Sequence, residues 1–253
     1  LWCLDYTLLR DVMAETAKTG LRHCFHCENY PMIETMIKRL SDAGRNDGLA
    51  HAESRPSIVE DTSVAIMLSL AEEAGGPVEV VHLSSPRAAQ IVKEAKARGV
   101  DVTAETCPQY LFMTDEVLAV HRGFAKCNPA LRPKEEVEGL WPYLFDGTLD
   151  LMGSDHSPFL PEEKEGEDIF AIPPGLPGLE SIVPMMLTAV NRNQLTLPDL
   201  VRLMVVRTAE IFNLPGKGEI AIGHDADLTF VDMDARWTFD RHACFTKARE
   251  VMR

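Results

Sequence analysis

Short strand-like apolar runs alternate with longer helical patterns along this chain, the grammar of a parallel α/β architecture. Residues 5–19, 30–41, 58–74, 86–98 and 135–145 read as helices, and so do 179–191 and 197–212. Residues 21–27, 78–83, 100–105 and 148–154 read as strands, with 78–83 rich in valine. Punctuation supports these limits. Gly20, the Gly75-Gly76 pair and Gly99 stop helices, and Ser85 with Pro86 just inside starts one.

After residue 214 the pattern changes. Gly216-Lys217-Gly218 leads through Gly223 to an apolar run at 228–231, which reads as β-structure without crossover helices. A domain boundary is therefore placed near residue 214, with 1–214 one unit and 215–253 the start of another. Four parallel strands amount to half of an eight-stranded barrel. A half barrel leaves a bare edge of backbone donors and acceptors, so the chain is not expected to be self-sufficient. Its start at Leu1, which is not a methionine, reads as cut.

Composition narrows the function. A net charge of −14 argues against nucleic acid and anionic membrane surfaces as partners. The longest apolar run, 182–190, is short for a membrane span and is interrupted by Pro184. Six cysteines in 253 residues do not make a disulfide scaffold. Cys24 and Cys27 form a lone C-x-x-C inside a strand-like run, where positions three apart face opposite sides. They read as ordinary thiols, consistent with a cytoplasmic protein.

Three strands end in residues able to hold a metal or move a proton: His26, His82 and Asp155. Strand C-termini of a parallel barrel open on one face, so residues far apart in sequence can converge there. Imidazole and carboxylate suit zinc or a similar divalent ion. A carboxylate beside such an ion can take a proton from water and pass it to a leaving nitrogen. A lone histidine at a strand end is more often a structural hydrogen-bonder, and spacing alone goes no further.

The local strings go further. H-C-E-N at 26–29, S-R-P at 54–56, V-H-L-S-S at 81–85 and E-T-C-P-Q-Y at 105–110 stand in that order. K-C-N-P-A-L-R at 126–132, G-S-D-H-S-P-F at 153–159 and P-G-L-P-G-L-E at 174–180 follow, with G-x-I-x-x-G-x-D-A-D-L at 218–228. Together they resemble the cyclic amidohydrolases: hydantoinase or dihydropyrimidinase, allantoinase and dihydroorotase. The resemblance implies an α/β fold, the C-terminal part of a (β/α)₈ barrel, plus part of a small β-sandwich composed from both chain ends. It implies two divalent metals, usually zinc, bridged by hydroxide and a carboxylated lysine. His26 and His82 match ligands of one metal, and Asp155 matches the ligand of the other that also serves as general base and acid. The family's H-x-H pair and its lysine have no counterpart here, so the chain alone is expected to be inactive.

The resemblance also implies substrate contacts at Asn128, Pro174 and Gly175, a role for His156 in supporting the metal ligands, and a homo-oligomer, dimeric or tetrameric. Arg55 and Glu105 read equally as salt-bridge partners or functional groups. The expected substrate is a small cyclic ureide or imide. Phe159 stands where dihydroorotases commonly carry a histidine, which favours an allantoinase- or hydantoinase-type ring opening. The alternatives are dihydroorotase chemistry and a non-catalytic scaffold related to dihydropyrimidinase.

Overall fold

The computed structural model describes residues 5–236 and 238–251. The start at Leu1 lies outside them. Strands β1 (His23–Phe25), β2 (Val78–Val80), β3 (Val102–Thr106) and β4 (Leu151–Met152) form one parallel sheet in sequential order. His23 pairs with Val78, Val78 with Val102, and Glu105 with Leu151. Parallel neighbours need long crossovers, and here those crossovers carry helices. This is the order and connection of one half of a (β/α)₈ barrel.

Helix α1 (Tyr6–Ala17) precedes β1, and α2 (Tyr30–Asp42), α3 (Gly48–Ser54) and α4 (Ser57–Ala74) separate β1 from β2. Helix α5 (Pro86–Ala97) joins β2 to β3. Between β3 and β4 lie α6 (Gln109–Phe112), α7 (Glu116–His121), α8 (Lys134–Leu140) and α9 (Pro142–Phe145). After β4 come α10 (Pro161–Lys164), α11 (Ile182–Asn191), α12 (Leu197–Val201) and α13 (Arg207–Ile211), the last two joined by a π-helical turn at Arg202–Val206.

One face of the sheet makes the core. Val78, Val80, Val102 and Ala104 share a buried cluster with Val64, Leu68 and Ala71 of α4 and with Ala88, Val92 and Ala95 of α5. Each fully buried valine or leucine contributes about 1.5–3 kcal/mol of transfer free energy. Alternation puts Cys24 and Glu79 on the other face, where the Cys24 thiol donates to Glu79 at 3.6 Å. The two cysteines of the C-x-x-C are free thiols, Cys24 exposed and Cys27 buried.

Several sequence expectations need correction. The run 135–145 is two helices, because Pro142 has no N–H to continue the first. The helix expected from 179 begins at Ile182. Helices α3, α6 and α7 were not anticipated. Helix α3 packs on α7 so closely that a Cβ at Gly48 would stand 1.9 Å from the Leu118 carbonyl oxygen. Residues 228–231 form no strand: Phe230 is 89% exposed and no ladder partner lies among the described residues. An apolar run becomes a strand only when a second backbone takes up its N–H and C=O groups. From 215 onward the described residues carry only two 3₁₀ turns, Arg241–Ala243 and Arg249–Val251.

His51 on α3 ties this layer to the strand-end face. It is 1% exposed and donates from Nε2 to the Cys127 carbonyl at 2.9 Å. Burial, helped by the Arg55 charge, pushes its pKa down to about 3, so it stays neutral in the folded chain. The unfolded chain takes up that proton near pH ~6.5, and the folded chain does not. The stability from neutral His51 is therefore present above that value and is lost as pH falls through the window toward 3. Urea midpoints measured from about pH 7 to about pH 4.5 should fall, and His51→Gln should remove up to about 1.4 kcal/mol of that fall per pH unit. Parallel pH profiles for the two proteins would show that His51 does not carry the effect.

Candidate active site

His26 lies just past β1, His82 two residues past β2 and Asp155 three past β4, all on the face where the strands end. His82 and Asp155 have φ of 41° and 45°, left-handed values that are uncommon away from glycine. Such strain costs on the order of 1–3 kcal/mol and concentrates at functional sites.

The two histidines meet. His26 Nδ1 is 3.0 Å from His82 Nε2, with the rings edge to face. His26 Nε2 is 2.9 Å from the buried carboxylate of Glu28, which also accepts from Arg55. Burial alone would raise the Glu28 pKa, but the His26 hydrogen bond and the Arg55 charge hold it at about 2. A proton on His26 Nε2 leaves Nδ1 as acceptor, so His82 donates from Nε2. His82 Nδ1 is then buried without a partner. Burial and the neighbouring His26 lower the His82 pKa to about 4. The backbone N–H of His82 donates to Glu105 at 3.3 Å, and burial and Glu79 raise Glu105 to about 7. Burial raises Asp155, while His26 draws it down.

A buried cation anchors this rim. Arg132 donates from Nε to Ser84 Oγ at 3.0 Å, from one terminal nitrogen to Glu60 at 3.0 Å and from the other to the Arg55 carbonyl at 2.6 Å. Glu60 accepts from the Ser84 N–H at 2.9 Å and from its hydroxyl at 2.6 Å. Arg132 thus fixes both the segment after His82 and the residue that holds Glu28. Arg55 proves to be a supporting partner of the histidine pair. The roles of Glu28, Glu60 and Arg132 were not read from the sequence, although Glu28 and Arg132 stand inside the quoted strings.

The histidine pair has the chemistry of metal ligands. Two nitrogens ~2.0–2.1 Å from one tetrahedral zinc stand roughly 3.3–3.4 Å apart. The observed 3.0 Å is that of an N–H···N hydrogen bond, so the two rings would separate slightly to share an ion. Glu28 backs His26 as outer-shell carboxylates back metal-bound imidazoles. The fit is partial: among the described residues no group of three or more His, Cys, Asp or Glu side chains is close enough to hold an ion.

Of the expected substrate residues, Asn128 and Gly175 are linked to each other through Lys126. Asn128 precedes Pro129 through a cis peptide, and its Oδ1 is buried without a partner. The Gly175 N–H donates to the Lys126 carbonyl at 2.8 Å, two residues before Asn128. Pro174 is half-buried. His156 faces the same loop: its Nδ1 accepts from the Leu179 N–H at 3.2 Å, and it bridges to Leu176. Two buried lysines, Lys126 and Lys164, surround the loop, and burial brings both down to about 8. Neither was singled out from sequence, where lysine reads as surface.

The amidohydrolase family matches residues 4–249, and the chain belongs to that family. Its members are generally metal-dependent. The allantoinase of Solibacter usitatus (strain Ellin6076) is 37% identical over 96% of this chain and 53% of its own length. The allantoinase of Rubrobacter xylanophilus is 39% identical over 90% of this chain and 50% of its own. Among solved structures, the L-hydantoinase (dihydropyrimidinase) of Arthrobacter aurescens superposes with a TM-score of 0.86 at 33% identity, over 89% of this chain and 51% of that one. The chain spans about half the length of the relatives it matches.

Gly175 gives a direct test of how the loop is seated. A Cβ there would stand 2.6 Å from the Ser157 carbonyl oxygen and 2.7 Å from the Phe159 ring. Gly175→Ala should destabilise the fold by about 1–3 kcal/mol, the usual cost of overpacking. Denaturation curves that coincide with wild type would mean the loop does not press on Ser157.

Proposed function

We propose that the complete polypeptide hydrolyses a cyclic amide bond in a ureide or imide ring, with allantoin the first substrate to try and hydantoins next. The observation that carries this reading is the His26–His82 pair, backed by Glu28 and Arg55, on the rim that also holds Asp155. Allantoinases share somewhat more sequence with this chain than the solved hydantoinases do, which sets the order of substrates. Phe159 supports the same choice. Its ring lies against Gly175 and 5.6 Å from Lys164, where it offers no group to a substrate carboxylate.

Two divalent ions, zinc by ligand chemistry, complete the site in this reading, with His26 and His82 holding one and Asp155 contributing to the other. When bound, they supply acidified water and polarise the ring carbonyl. Water adds to that carbonyl carbon and the C–N bond breaks, leaving a carboxylate and an N–H. Asp155 accepts the water proton and returns it to the departing nitrogen. Asn128 Oδ1, an acceptor without a partner, suits a ring N–H. The Pro174–Gly175 backbone suits the other ring polar groups.

Other properties follow from this reading. No helix among the described residues is long and apolar enough to cross a membrane. The free thiols suit a reducing compartment, so we place the protein in the cytoplasm. We also infer a homodimer or homotetramer.

Elemental analysis of the complete polypeptide should find about two divalent ions per chain, and His26→Ala should lower that number. Asp155→Ala should cut kcat about 10²–10⁴-fold with the circular dichroism spectrum unchanged. Wild-type turnover in that variant would reject the assignment of Asp155. Well-folded protein purified metal-free without chelator would reject the metal chemistry.

A further inference from the structure

Lys164 is 1% exposed and Lys126 5%. Both ammonium groups donate to backbone carbonyls. Lys164 Nζ reaches the carbonyls of Lys126 at 3.1 Å, Pro173 at 2.9 Å and Gly175 at 2.9 Å. An ammonium has three donors, and all three are used. Lys126 Nζ reaches the Ile169 carbonyl at 2.7 Å and also that of Ile172. The Lys126 carbonyl accepts from the Gly175 N–H as well, so the two lysines and the loop close on one another.

Burying an ammonium is unfavourable even where, as at Lys126, the Asp168 charge acts on it, and an aliphatic side chain would fill the same space without that cost. What the lysines supply is a set of fixed contacts to the carbonyls of 169, 172, 173 and 175. An irregular loop has no ladder of its own to satisfy those groups. The segment so held carries Pro174 and Gly175, and it is tied at Lys126 to the stretch bearing Asn128. A Cβ at Gly175 would meet Ser157, two residues past Asp155, so the loop backbone runs close to that segment.

We propose that Lys126 and Lys164 are positioning residues that clamp the 169–175 loop, so that the Pro174–Gly175 backbone and Asn128 meet the ring in one register. The clamp sets affinity for the ring and leaves the chemistry at Asp155 untouched. This rests on the reading that these residues bind the ring. Neither lysine touches the histidine pair, so metal content should not change with either.

The test uses the complete polypeptide with Lys164→Met and Lys126→Met, assayed on allantoin with metal content measured in parallel. The expected result is a KM raised about tenfold or more with kcat within about threefold, the pattern of lost ground-state binding. Unchanged KM, or a fall in kcat alone, overturns the proposal. Hydrogen exchange on the same proteins should be faster across 165–176 and unchanged in β2 and β3. Equal exchange in the loop also overturns it. If Lys164→Met does not fold, Lys126→Gln, which keeps an N–H donor, serves for both readouts. If wild type opens no ring, the hydrolase reading fails and loop exchange alone decides the clamp.

Discussion

The rim of this half barrel depends on the placement of one buried guanidinium. Arg132 has fixed fork geometry, and each of its arms holds a different part of the chain. Glu60 neutralises its charge from α4, Ser84 ties it to the turn after His82, and the Arg55 carbonyl ties it to the end of α3. With Arg132 and Glu60 98% and 99% removed from solvent, losing one partner would leave the other charged and buried. Breaking such a pair costs about 3–5 kcal/mol, far more than an exposed pair contributes. The Arg132 backbone takes part too, since its carbonyl accepts from the Asp115 N–H at the start of α7.

From that anchor, order passes outward to the histidines. Arg55 is held at its carbonyl by Arg132, so its side chain reaches Glu28 from a fixed base. Glu28 then holds one nitrogen of His26 and leaves the other facing His82. The Arg55–Glu28 link is buried, with Glu28 3% and Arg55 12% exposed, while His26 at its outer end is 45% exposed. A divalent ion held between the two imidazoles would replace the proton that His82 Nε2 now shares with His26 Nδ1, which would pass to the partnerless His82 Nδ1.

How much of this was legible in the sequence follows from the range of the interactions. His26, His82 and Asp155 could be placed on one face because the parallel grammar fixes where strands end. Pro142 is legible too, as the residue that divides 135–145 into two helices. Helices α3 and α7 were not legible, since they form around a contact between Gly48 and Leu118 that no local pattern announces. Lys126 and Lys164 were missed for a related reason: lysine belongs at the surface unless a loop elsewhere offers carbonyls in its place. The run at 228–231 misled in the opposite sense. Its residues suit a strand, but a strand is a relation between two backbones, and only one is present among the described residues.

The inner face shows the same dependence on distant room. The Glu105 side chain reaches from β3 to the turn at His82, and its carboxylate occupies the place where any side chain at residue 153 would go. A Cβ on Gly153 would stand 2.2 Å from the Glu105 carboxyl carbon. The glycine two residues before Asp155 therefore makes space for the acid that steadies His82, coupling the ends of β2 and β4 through β3. That acid is desolvated and faces Glu79, so keeping it there is costly. Its N–H partner at His82 helps to hold it there. Turn, glycine and carboxylate thus meet at one point, where the ends of β2, β3 and β4 come together.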